Sequence, residues 1–231
     1  MNVILFDIDG TLVHTAGSGK DAMNRAFEEI FDVANGLGGI LLAGQTDPKI
    51  ILDAFKKHKM EWDEVKVEAF KRRYFVRLQE EFRIHRPLRR MMPGFPPLLE
   101  KLATLPQTHL GLLTGNWKLG AQTKLEHFGL WKYFEFGAFA DDDLDRNKLV
   151  PHAIRRAAEL FGRHPKSDRV FVVGDTPRDV ECARPHGATA IAVATGDYSL
   201  DVLRASNPDF LFKDLSDEEA FLRIFPPSQA R

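Results

Sequence analysis

Asp7-Ile8-Asp9-Gly10-Thr11-Leu12 and Gly174-Asp175-Thr176-Pro177-Arg178-Asp179 are two places where carboxylates follow directly on an apolar run. Aspartate is disfavoured inside strands, so an apolar run that ends on paired aspartates marks either a plain turn or a site. If both runs end at one crevice, Asp7, Asp9, Asp175 and Asp179 meet there although they are far apart in the chain. Carboxylates that close repel one another unless a cation intervenes. An oxygen-only donor set, with no His or Cys beside it in sequence, favours a hard cation such as Mg2+ over zinc.

Two further segments fit the same chemistry. Leu112-Leu113-Thr114-Gly115-Asn116 supplies a hydroxyl and then a Gly-opened turn ahead of a helical segment, and the free amides of such a turn suit an anion. Lys148 precedes the helix that opens near Pro151 and can add a positive charge; Arg146 is the alternative donor. Carboxylates around a cation, a hydroxyl with free amides, and a basic side chain are the inventory of phosphoryl transfer, where positioning and charge neutralisation do most of the catalysis. Each alone says little, because Asp-Gly is a common turn dipeptide and Thr-Gly-Asn fits many strand-to-helix turns. Their joint occurrence at strand ends is what points to a site.

The strands that must position them are Val3–Asp7, His109–Thr114, Arg169–Gly174 and Ala188–Ala194, with Phe136–Ala140 and Asp209–Phe212 as further candidates. Helical segments lie between most of them: Pro96–Leu105, Trp117–Phe128, Leu149–Phe161, Pro177–His186 and Ser199–Ala205. Strands apolar along their whole length are covered on both faces, and alternation with helices supplies the cover. The pattern predicts an α/β fold, a Rossmann-like, doubly wound parallel sheet whose strand C-termini open on one crevice. About ninety residues separate the first two strands, far more than one crossover needs. That gap carries apolar residues at helical spacing over Gly19–Val33, Asp47–Lys57 and Trp62–Phe82. It predicts an inserted helical subdomain over 15–92, with 1–14 and 93–231 as the α/β core.

Composition bounds the partners. Thirty-two Lys+Arg against thirty-three Asp+Glu, a net charge of -1, argue against a general nucleic-acid binder. A hydrophobic content of 44% excludes wholesale disorder. The single cysteine, Cys182, forms no intrachain disulfide and fits a reducing compartment. The first residues lack a basic n-region, and no run approaches the length of a membrane span. The expectation is a soluble, cytoplasmic protein with no membrane partner. The run from Lys66 to Arg90 holds nine Lys or Arg against three Glu and reads as a solvated helix face. Gly17-Ser18-Gly19-Lys20 lacks the spacing of a P-loop, and the tail after Phe225 is expected to fray.

These residues resemble the haloacid dehalogenase superfamily of phosphohydrolases, whose first motif has the form Asp-x-Asp-Gly-Thr. The likeness covers the chain in outline: the first motif at 7–11, Thr114 as the second, Lys148 as the third, and Gly174-Asp175 with Asp179 as the fourth. The helical insertion is similar to a C1-type cap, and the layout is similar to the phosphoglycolate phosphatase and β-phosphoglucomutase branch. The resemblance implies that Asp7 is a nucleophile forming an aspartyl-phosphate and that Asp9 is the acid and then the base. It implies Mg2+ held by Asp7, the Asp9 carbonyl and Asp175, with Asp179 in or beside the shell. It implies further that Thr114 and Lys148 hold phosphoryl oxygens, with Gly10, Gly115 and Asn116 around them. Ala43-Gly44-Gln45-Thr46-Asp47 is similar to the substrate-facing loop of related caps, which places Gln45 and Thr46 near the leaving group; simple capping of the next helix by Thr46 or Asp47 is the plainer role.

The third motif departs from the family's Lys-Pro-x-Pro. Lys148 keeps a proline three positions on, while Arg146 can reach the same pocket and is not interchangeable with it. The implied substrate is a small-molecule phosphate monoester. A phosphomutase uses the same two aspartates and stays the alternative. A dehalogenase lacks the second aspartate, a phosphonatase needs a Schiff-base lysine for which Lys20, Lys49, Lys56, Lys57 and Lys59 offer no telling context, and a non-catalytic binding module would not need every acid intact.

Overall fold

The computed structural model describes residues 1–225; the terminal segment expected to fray lies outside them. The chain opens on β1 (Asn2–Phe6), five residues with no exposed side chain. A two-residue strand, β2 (Val13–His14), leads out to three helices, α1 (Ser18–Phe31), α2 (Asp47–His58) and α3 (Glu64–Arg83), and β3 (Arg90–Met91) leads back. Next come α4 (Pro97–Thr104), β4 (Thr108–Leu113), α5 (Lys118–His127), β5 (Phe136–Ala138) and α6 (Leu149–Phe161). The last third comprises β6 (Val170–Gly174), α7 (Pro177–Ala183), β7 (Thr189–Val193), α8 (Leu200–Ala205), β8 (Phe210–Phe212) and α9 (Glu218–Leu222).

Six strands form one parallel sheet in the order β5-β4-β1-β6-β7-β8. The chain fills one side of β1 with β4 and β5, then crosses to the other side with β6, so the order reverses at β1, where an open α/β sheet forms its crevice. Alternate side chains of β1 face opposite layers. Ile4 and Phe6 join Leu98, Leu102, Leu125 and Phe221 of α4, α5 and α9. Val3 and Leu5 join Val150, Ala153, Val180 and Leu203 of α6, α7 and α8. Burial on both faces is why these strands read as unbroken apolar runs, and each fully buried Ile, Leu or Phe contributes about 1.5–3 kcal/mol relative to exposure.

The helical insertion has its own core: Ala22, Met23 and Phe27 of α1, Ile51 and Phe55 of α2, and Phe70, Tyr74 and Leu78 of α3. Trp117, from the loop after β4, completes it. The insertion joins the sheet domain through a ribbon in which β2 pairs antiparallel with β3, Val13 opposite Met91. This ribbon is too short to leave a period-two signal in the sequence. The basic run is partly solvated, with Lys66, Arg72, Arg83 and Arg90 exposed, and partly engaged with acids. Arg73 and Arg77 pair with Glu29, and Arg86 with Asp21 and the buried Glu81. Helix α7 ends before the predicted His186, giving way to a 3-10 turn over Arg184–His186, because Pro185 has no N–H to continue the helical ladder.

Candidate active site

The sheet register brings the sequence motifs to one edge. Phe6 stands opposite both Leu112 and Val173, so Asp7, Thr114 and Asp175 emerge side by side at the C-terminal ends of β1, β4 and β6. They line a cleft of about 260 Å³ together with Asp9, Gly10, Gly115, Asn116 and Arg146 from the sheet domain and Gln45, Asp47 and Tyr74 from the helical insertion. Gly10 has φ 88°, and a Cβ there would lie 2.3 Å from Asp175 Oδ2. Only glycine admits both the turn and the close carboxylate.

Asp7, Asp175 and Asp179 are buried and offer carboxylate oxygens within 4.8 Å of one another. Arg146 is buried among them, its Nη2 3.2 Å from Asp7 Oδ1 and hydrogen-bonded to Asp179. Burial, helped by Asp179 and Asp9 and opposed by Arg146, pushes the Asp7 carboxyl up to about 6. Burial, with Asp7 and Asp179, holds Asp175 well above the usual carboxylate range. Three acids against one guanidinium leave the cluster short of positive charge, and an all-oxygen set suits a hard divalent cation. The donors are not equivalent. Asp179 Oδ1 takes Arg146, and Oδ2 takes the Thr176 N–H at 3.0 Å and its hydroxyl at 2.7 Å in a capping box at the start of α7. Asp175 accepts from the Thr11 hydroxyl at 3.0 Å, which leaves Asp7 and Asp175 with more free lone pairs than Asp179.

Asp9 also lines the cleft, its side chain 39% exposed. Its Oδ2 accepts from Asn116 Nδ2 at 2.9 Å and from Lys124 Nζ at 2.5 Å. Lys124 also donates to Asn116 Oδ1 at 2.6 Å, and Asn116 Nδ2 to Thr114 Oγ1 at 2.8 Å. Lys124 is a buried cation on α5 that sequence reasoning missed. The available signal was its place in the stripe Gly120, Ala121, Lys124, Leu125, where every member is buried.

The loop before α2 does not cap its own helix. Thr46 is the N-cap residue but makes no side-chain cap bond; its hydroxyl donates to the Leu144 carbonyl at 2.6 Å. Asp47 accepts from the Trp117 N–H at 2.8 Å, which caps α5 instead, and its own N–H donates to the Gly115 carbonyl at 2.7 Å. A Cβ on Gly115 would lie 2.0 Å from the Gln45 carbonyl oxygen, so this loop is clasped onto the turn after β4. Gln45 Nε2 turns back to the Leu41 carbonyl. Burial pushes the Asp47 carboxyl up to about 7, against the pull of Lys124 and the Trp117 N–H. Its folded value lies above the ordinary 3.8, so the folded chain holds the extra proton. The contribution of Asp47 to stability therefore falls as pH rises from about 4 to about 7, with a slope of up to about 1.4 kcal/mol for each step of one in pH. Asp47→Asn keeps an acceptor for Trp117 and removes the acid. In urea denaturation it is expected to be more stable than the parent at pH 8, with the gap closing toward pH 4.

Lys148 is not in this cleft. Its side chain is 64% exposed and 3.6 Å from Asp143. Arg146 and Lys148 belong to one 3-10 turn, where three residues complete a turn. Two positions apart, they point in different directions, and Arg146 is the one aimed at the carboxylates.

Residues 4–193 match the family model described as haloacid dehalogenase-like hydrolase. The chain is 26% identical over 221 residues to a pyrophosphatase, PpaX, of Oceanobacillus iheyensis, covering 94% of each. It is 27% identical over 226 residues to a phosphoglycolate phosphatase of Aquifex aeolicus, again covering 94% of each. A solved structure of a hydrolase from Pseudomonas syringae superposes with a TM-score of 0.72 at 19% identity, over 96% of this chain and 98% of that one. Among the described residues no helix is long and apolar enough to cross a membrane. With the family's first motif at the end of β1 and its helical insertion directly after, the chain belongs to the haloacid dehalogenase-like hydrolases.

Proposed function

We propose that this hydrolase is a Mg2+-dependent phosphatase that cleaves a small-molecule phosphate monoester through an aspartyl-phosphate on Asp7. The observation that carries it is the convergence of Asp7 and Asp175, at adjacent strand ends, with Asp179 at the start of α7, beside Arg146 and in one cleft with Thr114 and Asp9. The Asp7 carboxylate attacks phosphorus as the bond to the alcohol oxygen breaks, and Asp9 gives that oxygen a proton. Asp9 then takes a proton from water, which attacks the aspartyl-phosphate, releases phosphate and restores Asp7. Arg146, the Thr114 hydroxyl and the backbone around Gly10, Gly115 and Asn116 hold the phosphoryl oxygens. Asp7, Asp175 and the Asp9 carbonyl would hold the metal, with Asp179 beside them fixing Arg146. When bound, Mg2+ supplies positive charge that lets the substrate's phosphoryl group approach the carboxylates.

Residues 15–92 act as a cap over a core of 1–14 and 93–231, turning about the β2–β3 ribbon and closing the cleft to bulk water. Gln45 and Thr46 belong to the loop that clasps the cap to the core. The near-neutral net charge and the single buried Cys182 support a cytoplasmic enzyme of soluble metabolites without a nucleic-acid or membrane partner. The relatives' names span an ester and an anhydride substrate, so the test is a panel. Purified protein is assayed on p-nitrophenyl phosphate, carboxylate- and sugar-phosphate esters, and pyrophosphate, with Mg2+ and with EDTA. Phosphate release from an ester that stops in EDTA and returns with Mg2+ is expected. Isomerisation of a hexose phosphate without phosphate release would make it a mutase instead, and metal-independent turnover would overturn the reading.

A further inference from the structure

Tyr74, on the cap helix α3, is among the residues that line the cleft, and its hydroxyl makes no hydrogen bond among the described residues. Its ring is fully buried, packed on Trp117 at 5.8 Å between centroids and stacked with Phe70 at 6.4 Å. Among the described residues its hydroxyl is buried without a partner, although the residue lines the cleft. A buried phenol normally finds a partner, because leaving a polar group unpaired away from water costs stability. The location says what partner is missing. A Cβ on Gly120 would lie 3.4 Å from the Tyr74 hydroxyl, and Lys124 stands one turn further along the same face of α5. Lys124 gives two of its three donors to Asp9 and Asn116. Burial first, then the charges of Asp47 and Asp9, hold the phenol well above its ordinary value, so the group stays a neutral donor. Met23 and Ile50, of the same apolar cluster as Tyr74, also line the cleft.

We infer that Tyr74 is a specificity-determining residue whose hydroxyl donates to an oxygen on the alcohol part of the substrate. The cleft then takes phosphate monoesters of short alcohols that carry a second oxygen acceptor, in preference to esters of apolar alcohols of the same size. The inference rests on the phosphatase reading and adds to it which part of the substrate the cap recognises.

The test compares 2-hydroxyethyl phosphate with n-propyl phosphate, which differ by a hydroxyl in place of a methyl group. With Mg2+, the parent enzyme is expected to favour the hydroxyl ester in kcat/KM by about ten-fold. Tyr74→Phe removes one oxygen and keeps the ring on Trp117. It is expected to lower kcat/KM about ten-fold for the hydroxyl ester alone, to leave the propyl ester within about two-fold, and not to lower Tm. An unchanged preference overturns the inference, as does an equal loss on both esters with a lower Tm, which marks a merely structural hydroxyl. Turnover of p-nitrophenyl phosphate but of neither small ester overturns the Tyr74 assignment and spares the phosphatase reading. No turnover of any ester overturns both.

Discussion

Replacing Asp7 by Asn is expected to lower phosphate release by about 10^4-fold or more, in a protein that remains folded. The amide matches the carboxylate in shape but cannot attack phosphorus, so in the proposed mechanism its loss stops the reaction before any intermediate forms. The same change has a stability signature of the opposite sign. Asp7 is buried, and its carboxyl is raised to about 6 from the ordinary 3.8, first by burial and further by Asp179 and Asp9. A carboxyl raised on folding destabilises the native state progressively as pH climbs from about 4 to about 6 and fully above that. Metal-free Asp7→Asn is therefore expected to melt above metal-free parent at pH 8, with the difference fading at low pH. Adding Mg2+ should raise the parent's Tm by mass action and the variant's by less, because one of the carboxylates proposed to hold the metal is gone. Calorimetry at two pH values with and without Mg2+, beside a phosphate-release assay, checks all three. A variant that stays active without metal would sink the aspartyl-phosphate mechanism.

The sequence makes this much visible for a physical reason. Strands buried on both faces must be apolar throughout, so β1, β4, β6 and β7 stand out, and the first polar residues beyond them lie at the crevice by topology alone. Asp7, Thr114 and Asp175 are legible for that reason. Helix α6 is legible to the residue, Leu149–Phe161, since its apolar face is regular. What stays hidden depends on tertiary approach. Lys124 looks like any surface lysine until its position beside Leu125 on a buried stripe is set against Asp9, with which it pairs. Thr46 and Asp47 carry strong local capping preferences, yet their side chains reach Leu144 and Trp117, because docking of the cap onto the core outweighs one local bond. Tyr74 reads as one more aromatic at helical spacing; only the missing partner of its hydroxyl distinguishes it.

Arg146 and Lys148 are two residues apart, and the structure turns that ambiguity into a pair of opposite expectations. Lys148→Met removes a side chain that is 64% exposed and 3.6 Å from a single carboxylate. Exposed pairs of that kind contribute about 0–1 kcal/mol, so activity is expected within about two-fold of the parent and the urea midpoint should hardly move. Arg146→Met takes the only guanidinium out of a buried cluster that includes Asp7 and Asp179. Removing one partner of a buried ion pair costs about 3–5 kcal/mol, because the remaining charges are left uncompensated. The loss is expected to be greater at pH 8 than at pH 5. Without Arg146 the pull that lowers Asp7 is gone, so its carboxyl titrates above the present value of about 6, and only acid relieves the repulsion. Phosphate release should fall about 10^2- to 10^3-fold, the usual effect of deleting one group that stabilises developing charge. Arg146→Lys separates charge from shape. One ammonium restores the missing charge but not the planar fork that reaches two carboxylates at once, so stability should recover further than activity. If Lys148→Met were the damaging change and Arg146→Met the silent one, the ammonium would have to swing in from Asp143 during turnover, and the cleft described by these contacts would not be the working one.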